Sequence, residues 1–178
     1  MSINYEQKFY RITSTSMYPT LNIGDIVILG KKAPKDIKTG ENNGDILILK
    51  GPQYFYNHGI DRMMLNDLSN DIPIIHRAVD KKKKDNTWYF KTKGDNSWIP
   101  DGSFIIKEKT NDYILAEYDS AKTLYVPESE VLGVVLRIIP STNDNFQLRS
   151  SSKSLLDINM FEKLEIKAYL KKKNIYKS

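Results

Sequence analysis

Apolar and polar positions along the chain alternate in short runs, and the runs predict strands rather than helices over residues 10–140. "DIVILG" (25–30) and "GDILILK" (44–50) are compact apolar stretches, each introduced by a Gly-Asp turn. Between them, "KKAPKDIKTGENN" is polar and turn-rich and reads as an exposed loop. Residues 51–71 open with aromatics, as a strand end would, and carry Met63, Met64 and Leu65 at their centre. That centre reads as a helical turn or as an insertion facing substrate. "IPIIHRAVD" (72–80) and "TWYFKTKGD" (87–95) are extended segments joined by the solvated tip "KKKKDN". A hairpin centred near Asp85-Asn86 brings together positions whose numbers sum to about 171, which sets His76 across from Asp95. "SFIIKEK", "YILAEYD" and "TLYVPESEVLGVVLRIIP" then read as strands returning to close the β-structure, which ends at Pro140 and "STNDN".

The period changes near residue 152. Leu155, Ile158, Phe161, Leu164 and Ala168 recur at spacings of three and four, as on one face of a helix, before the basic tail "KKKNIYKS". The expected organisation is a mostly β domain over 1–150 with an amphipathic helix and tail over 151–178. The helix face packs on a core, docks on a partner or lies on lipid.

Composition narrows the chemistry. The net charge of +5 and pI near 9.1 come from lysine runs among dispersed acids, with no single basic block, so no nucleic-acid partner is expected. A mildly basic surface suits anionic lipid as readily as RNA. There are no cysteines, which excludes disulfides, thiolate zinc sites and a cysteine nucleophile. His58 and His76 are the only histidines, too few for a multi-histidine cage, so neither a metal nor another cofactor is expected. No run reaches the roughly 20 apolar residues of a membrane span. The best, "VLGVVLRII" (131–139), is short and broken by Arg137, and the opening residues lack the apolar core of a signal peptide. The expectation is a soluble chain, its compartment open.

Residues 12–29, "ITSTSMYPTLNIGDIVIL", set a hydroxyl cluster and a Pro-Thr turn before a strand. Ser16 sits at that corner, a seat for a nucleophile and equally for an ordinary turn serine. A serine hydroxyl needs a base to take its proton, a neutral imidazole does this near pH 7, and a carboxylate fixes the imidazole's tautomer. Ser16, His76 and Asp95 could fill those roles. Asp25 and Asp45 read as strand-entry turn residues, His58 as a loop histidine, and Trp88 and Trp98 as core or rim aromatics.

"STSMYPTLNIGDIVIL", "GDILILKGP", "IIHRAVD", "KTKGDNSWIPD" and "VLGVVLRIIP" follow one another in an order that resembles the successive boxes of type I signal peptidases. The "HR" at 76–77 is similar to the archaeal and endoplasmic-reticulum branch, where histidine replaces the catalytic lysine. The resemblance covers about residues 11–140. It implies a signal-peptidase-like β-fold of packed antiparallel sheets and a serine endopeptidase that cuts preprotein signal peptides after small residues. It matches Ser16 to the nucleophile, His76 to the base, and Asp95 and Asp101 to the two acids; the hairpin register favours Asp95 as the one that orients the imidazole, with Asp101 as the alternative. Ser14 matches a hydroxyl that forms the oxyanion hole with the Ser16 N–H, and Met17 and Pro19 match residues that shape the corner and the pocket for small side chains. The implied setting is a membrane surface or an anchoring subunit, with the site on the outer or luminal side. The family's transmembrane helix before the nucleophile box has no counterpart in the polar residues that precede Ser16. The alternatives are a non-catalytic peptide- or membrane-binding homologue and a self-cleaving repressor of the Ser-Lys type. The latter fits poorly, since histidine stands where its lysine belongs.

Overall fold

The computed structural model describes residues 8–110 and 113–141. The amphipathic helix and basic tail expected from residue 151 onward lie outside the described residues. The chain divides into two compact units, one running to Gly102 and resuming over Thr123–Ser141, the other containing Ser103–Lys122.

The larger unit is a seven-stranded antiparallel sheet, in keeping with a mostly β chain. Its strands are β1 (Phe9–Arg11), β2 (Ile26–Gly30), β3 (Ile46–Leu49), β4 (Ile74–Lys84), β5 (Thr87–Lys93), β8 (Val126–Pro127) and β9 (Val131–Ile139). Their order across the sheet is β1-β2-β9-β3-β4-β5-β8. The last strand therefore lies between the second and the third. β3 reads "ILIL" and is buried at every position, as a strand covered on both faces must be. Its two faces serve two cores. Leu47 and Leu49 pack with Ile74, Ala78, Phe90, Val126 and Val134 on one side. Ile46 and Ile48 pack with Ile12, Met17, Leu21 and Val27 on the other.

The smaller unit holds β6 (Phe104–Lys109) and β7 (Ile114–Tyr118), which pair only with each other. All three segments expected as strands are strands, but not all join the seven-stranded sheet. Only the third, over 123–140, does so, by supplying β8 and β9. Short alternating runs specify a strand but not its partner, and consecutive runs pair locally when a hairpin turn joins them.

Residues 51–71 form a short helix, α1 (Gln53–Asn57), and a 3₁₀ turn over Arg62–Leu65. Phe55 and Met64 are their buried anchors. The helical-turn reading of the Met-Met-Leu centre is the one observed.

Phe90 has no exposed surface and sits in the first core, so Phe90→Ala should lower unfolding free energy by about 3–5 kcal/mol. Urea denaturation monitored by tryptophan fluorescence measures this loss. A loss below about 1 kcal/mol would mean that the core around β5 is not packed as described.

Candidate active site

The Ser16 corner is built by the turn between β1 and β2. Its chain reverses through backbone bonds from Tyr18 N–H to the Thr15 carbonyl (2.9 Å) and from Leu21 N–H to the Met17 carbonyl (2.9 Å). Met17 is 2% exposed and belongs to the second core, so it pins the corner from beneath. With its side chain packed there, Met17 shapes the corner from the core side. Pro19 is exposed beside it, after a cis Tyr18–Pro19 bond. Ser16 is half-buried, and its hydroxyl lies 3.2 Å from that of Ser14.

His76 and Arg77 are neighbours on β4 and therefore face opposite sides of the sheet. The ladder confirms which side each takes. Leu47 is opposite His76 and Ile46 is opposite Arg77, so His76 shares the face of the first core and Arg77 that of the second. Across the hairpin, Lys84 pairs with Thr87 and Asp80 with Lys91, then a bulge shifts the register so that Ala78 meets Thr92 and Arg77 meets Lys93. Continued past Lys93, this register brings Gly94 opposite His76.

The expected Asp95–His76 pairing is therefore corrected. The bulge removes one residue from the count, and a one-residue slip exchanges the faces. Asp95 falls on the side of Arg77. It accepts from Arg77 Nε (2.7 Å) and a second guanidinium nitrogen (2.6 Å), the fork geometry of a bidentate pair. The third Arg77 nitrogen donates to the Gly44 carbonyl at 2.6 Å. Thr20, on the Ser16 corner, donates its hydroxyl to Asp95 at 2.5 Å.

The acid that meets the imidazole is Asp101. Its Oδ2 lies 2.7 Å from His76 Nδ1, and both side chains are largely buried. Opposite a carboxylate that only accepts, the neutral ring keeps its proton on Nδ1 and leaves the free lone pair on Nε2. Thr92 donates its hydroxyl to the same oxygen at 2.7 Å.

Gly94 is where the two halves meet. A Cβ placed there would lie 2.5 Å from the Ser16 carbonyl oxygen and 3.2 Å from His76 Nε2. The missing side chain lets the serine corner and the basic nitrogen of the imidazole share one small space. The corner is held there by the Asn96 N–H, which donates to the Ser16 carbonyl at 2.9 Å. Ser14, Ser16, His76 and Asp101 thus converge, and Asp95 stands behind them as a brace.

Charge sets the imidazole's state. Burial alone would push His76 down, but the Asp101 charge, the hydrogen bond to it and the more remote Asp95 charge outweigh this and raise its pKa above 6.5. Burial likewise pushes Asp95 up, yet the Arg77 and Thr20 hydrogen bonds with the Arg77 and Lys93 charges hold it below its ordinary value.

The remaining sequence expectations concern residues away from this centre. Asp25 accepts from the Asn22 and Ser141 N–H groups, and Asp45 from the Lys38 N–H and the Lys32 ammonium, as turn aspartates do. His58 stacks on Tyr54 at the end of α1. Trp88 packs against the first core, whereas Trp98 is 41% exposed. Thr20, Thr92 and Gly94 were not singled out by sequence reasoning, and Arg77 was noted only as half of the "HR" pair, without a role. A readable signal existed for Thr92, a hydroxyl at a position where alternation with Trp88 and Phe90 calls for an apolar side chain.

Compared with known proteins, the chain matches no family model and no curated sequence.

The two acids should separate experimentally. Asp101→Asn should lower the His76 pKa clearly, and Asp95→Asn only slightly, as read by NMR titration of the imidazole. Asp95→Ala should instead cost stability, about 3 kcal/mol, because it leaves the Arg77 guanidinium buried without its partner. Since the folded pKa of Asp95 is depressed, its contribution is complete above the ordinary value of 3.8 and is lost as pH falls through the lower folded value. Since that of His76 is raised, its contribution is complete below 6.5 and is lost as pH rises through the higher folded value. Denaturation midpoints of wild type and Asp95→Ala should therefore converge in strong acid. If they stay apart there, the pair does not carry the difference.

Proposed function

We propose that the chain is a serine endopeptidase of the Ser-His-Asp kind. It cuts preprotein signal peptides after small residues, as do the type I signal peptidases of the archaeal and endoplasmic-reticulum branch that its ordered motifs resemble. The observation that carries the reading is the convergence at Gly94 of the Ser16 corner with Nε2 of an imidazole whose Nδ1 is bound to Asp101.

In this mechanism the substrate lies as an extended strand with its scissile carbonyl over Ser16. His76 Nε2 takes the Ser16 proton as Oγ attacks, and Asp101 stabilises the imidazolium that forms. The Ser14 hydroxyl and the Ser16 N–H receive the oxyanion. His76 then protonates the leaving amine, and water enters by the reverse path to release the acyl group. The partners are a preprotein and a membrane surface or anchoring subunit that presents it. Because the His76 pKa is raised, the neutral base accumulates only above 6.5, and kcat/KM should climb with pH through that raised value.

Ser16→Ala and His76→Ala should each reduce cleavage of a model signal-peptide substrate by several orders of magnitude while keeping the wild-type circular dichroism spectrum. Mass spectrometry of the products should locate the cut after a small residue. Wild-type turnover in either purified variant would overturn the assignment.

A further inference from the structure

Thr92 stands at an unusual place for a hydroxyl. It follows Trp88 and Phe90 on the inward face of β5, opposite Ala78, and has no exposed surface. A hydroxyl buried there is costly unless it is hydrogen-bonded. Its bond goes to Asp101 Oδ2, the same oxygen that meets His76 Nδ1, and both distances are 2.7 Å. The Thr92 carbonyl also accepts the Asp101 N–H at 2.9 Å. Thr92 therefore grips Asp101 twice, once at the backbone and once at the carboxylate. Asp101 itself follows an irregular stretch after β5, outside the ladder that fixes Thr92. A β-branched residue on a paired strand has few rotamers to choose from, so its hydroxyl direction is set by the sheet.

We propose that Thr92 is a positioning residue for this centre, its buried hydroxyl holding the Asp101 carboxylate in the orientation that delivers Oδ2 to His76 Nδ1. The inference rests on the peptidase reading only for its kinetic consequence. It makes the strand β5, and not the loop, the reference frame for the acid. The charged groups that bear on the ring are Asp101, Asp95 and, through Asp95, Arg77 and Lys93, and of these only the Asp101 contact depends on Thr92.

Thr92→Val keeps the shape and removes the hydroxyl, whereas Thr92→Ser keeps the hydroxyl. With only two histidines in the chain, imidazole NMR reads His76 directly and His58 serves as the internal control. In Thr92→Val, His76 should titrate at lower pH and lose its downfield Nδ1–H resonance, with His58 unmoved. Thr92→Ser should retain both wild-type features. On a signal-peptide substrate, kcat for Thr92→Val should fall roughly tenfold with KM unchanged, a part of the ~10²–10⁴ that a positioned base supplies, and Thr92→Ser should restore it. If Thr92→Val does not fold, Thr92→Ser against Thr92→Ala carries the same contrast. A folded Thr92→Val with wild-type His76 titration and Nδ1–H resonance overturns the proposal, since Thr92 would then only fill space. If the wild-type chain cleaves nothing, yet Thr92→Val shows the spectral changes, the peptidase reading is overturned and the positioning role upheld.

Discussion

A β-strand sends successive side chains to opposite faces, and at the β4–β5 hairpin this alternation, combined with one bulge, decides which acid meets which cation. His76 turns toward the face of Thr92 and Asp101, Arg77 toward that of Asp95 and Thr20. The bulge between Ala78 and Asp80 is what aligns Gly94 with His76. Removing it would set Asp95 opposite His76 and so place a side chain where the imidazole and the Ser16 carbonyl now share space. The site is thus a consequence of ladder register before it is a consequence of any single functional group.

The two ionic contacts do different work because the sheet separates them. The Arg77–Asp95 pair is bidentate and nearly buried, with every guanidinium nitrogen engaged. Such a pair contributes little net attraction after desolvation but is costly to break, which suits a brace. It ties β4 to the corner through Thr20, while the neighbouring Asn96 N–H holds the Ser16 carbonyl. His76 and Asp101 form the softer contact, an imidazole whose charge can change, and Asp95 acts on it only through space. Neutralising Asp95 with Arg77 keeps a second carboxylate close without letting it compete for Nδ1.

Much of this was legible in the residues, and the failures share one cause. The mostly β class, the hairpin tip at Asp85-Asn86 and the serine corner follow from short-range signals: alternation, turn chemistry, a proline. Both tip residues do take positive φ, as a two-residue hairpin turn requires. Long-range pairing was not legible. A bulge leaves no mark in the pattern "IIHRAVDKKKK", so counting from the tip misassigned Asp95. Likewise "SFIIKEK" and "YILAEYD" read as strands but gave no hint that they pair with each other alone.

The position of β9 has a consequence in time. β2 and β3 share no ladder, and the sheet becomes continuous only when residues 131–139 insert between them. During synthesis, the strand pair that flanks Ser16 and the hairpin that carries His76 emerge as separate fragments, each with an unsatisfied edge. The strand that joins them is the last of the sheet to leave the ribosome. Assembly of the centre is thereby deferred until the sheet is complete, so a nascent or prematurely ended chain carries Ser16, His76 and Asp101 without the framework that aligns them.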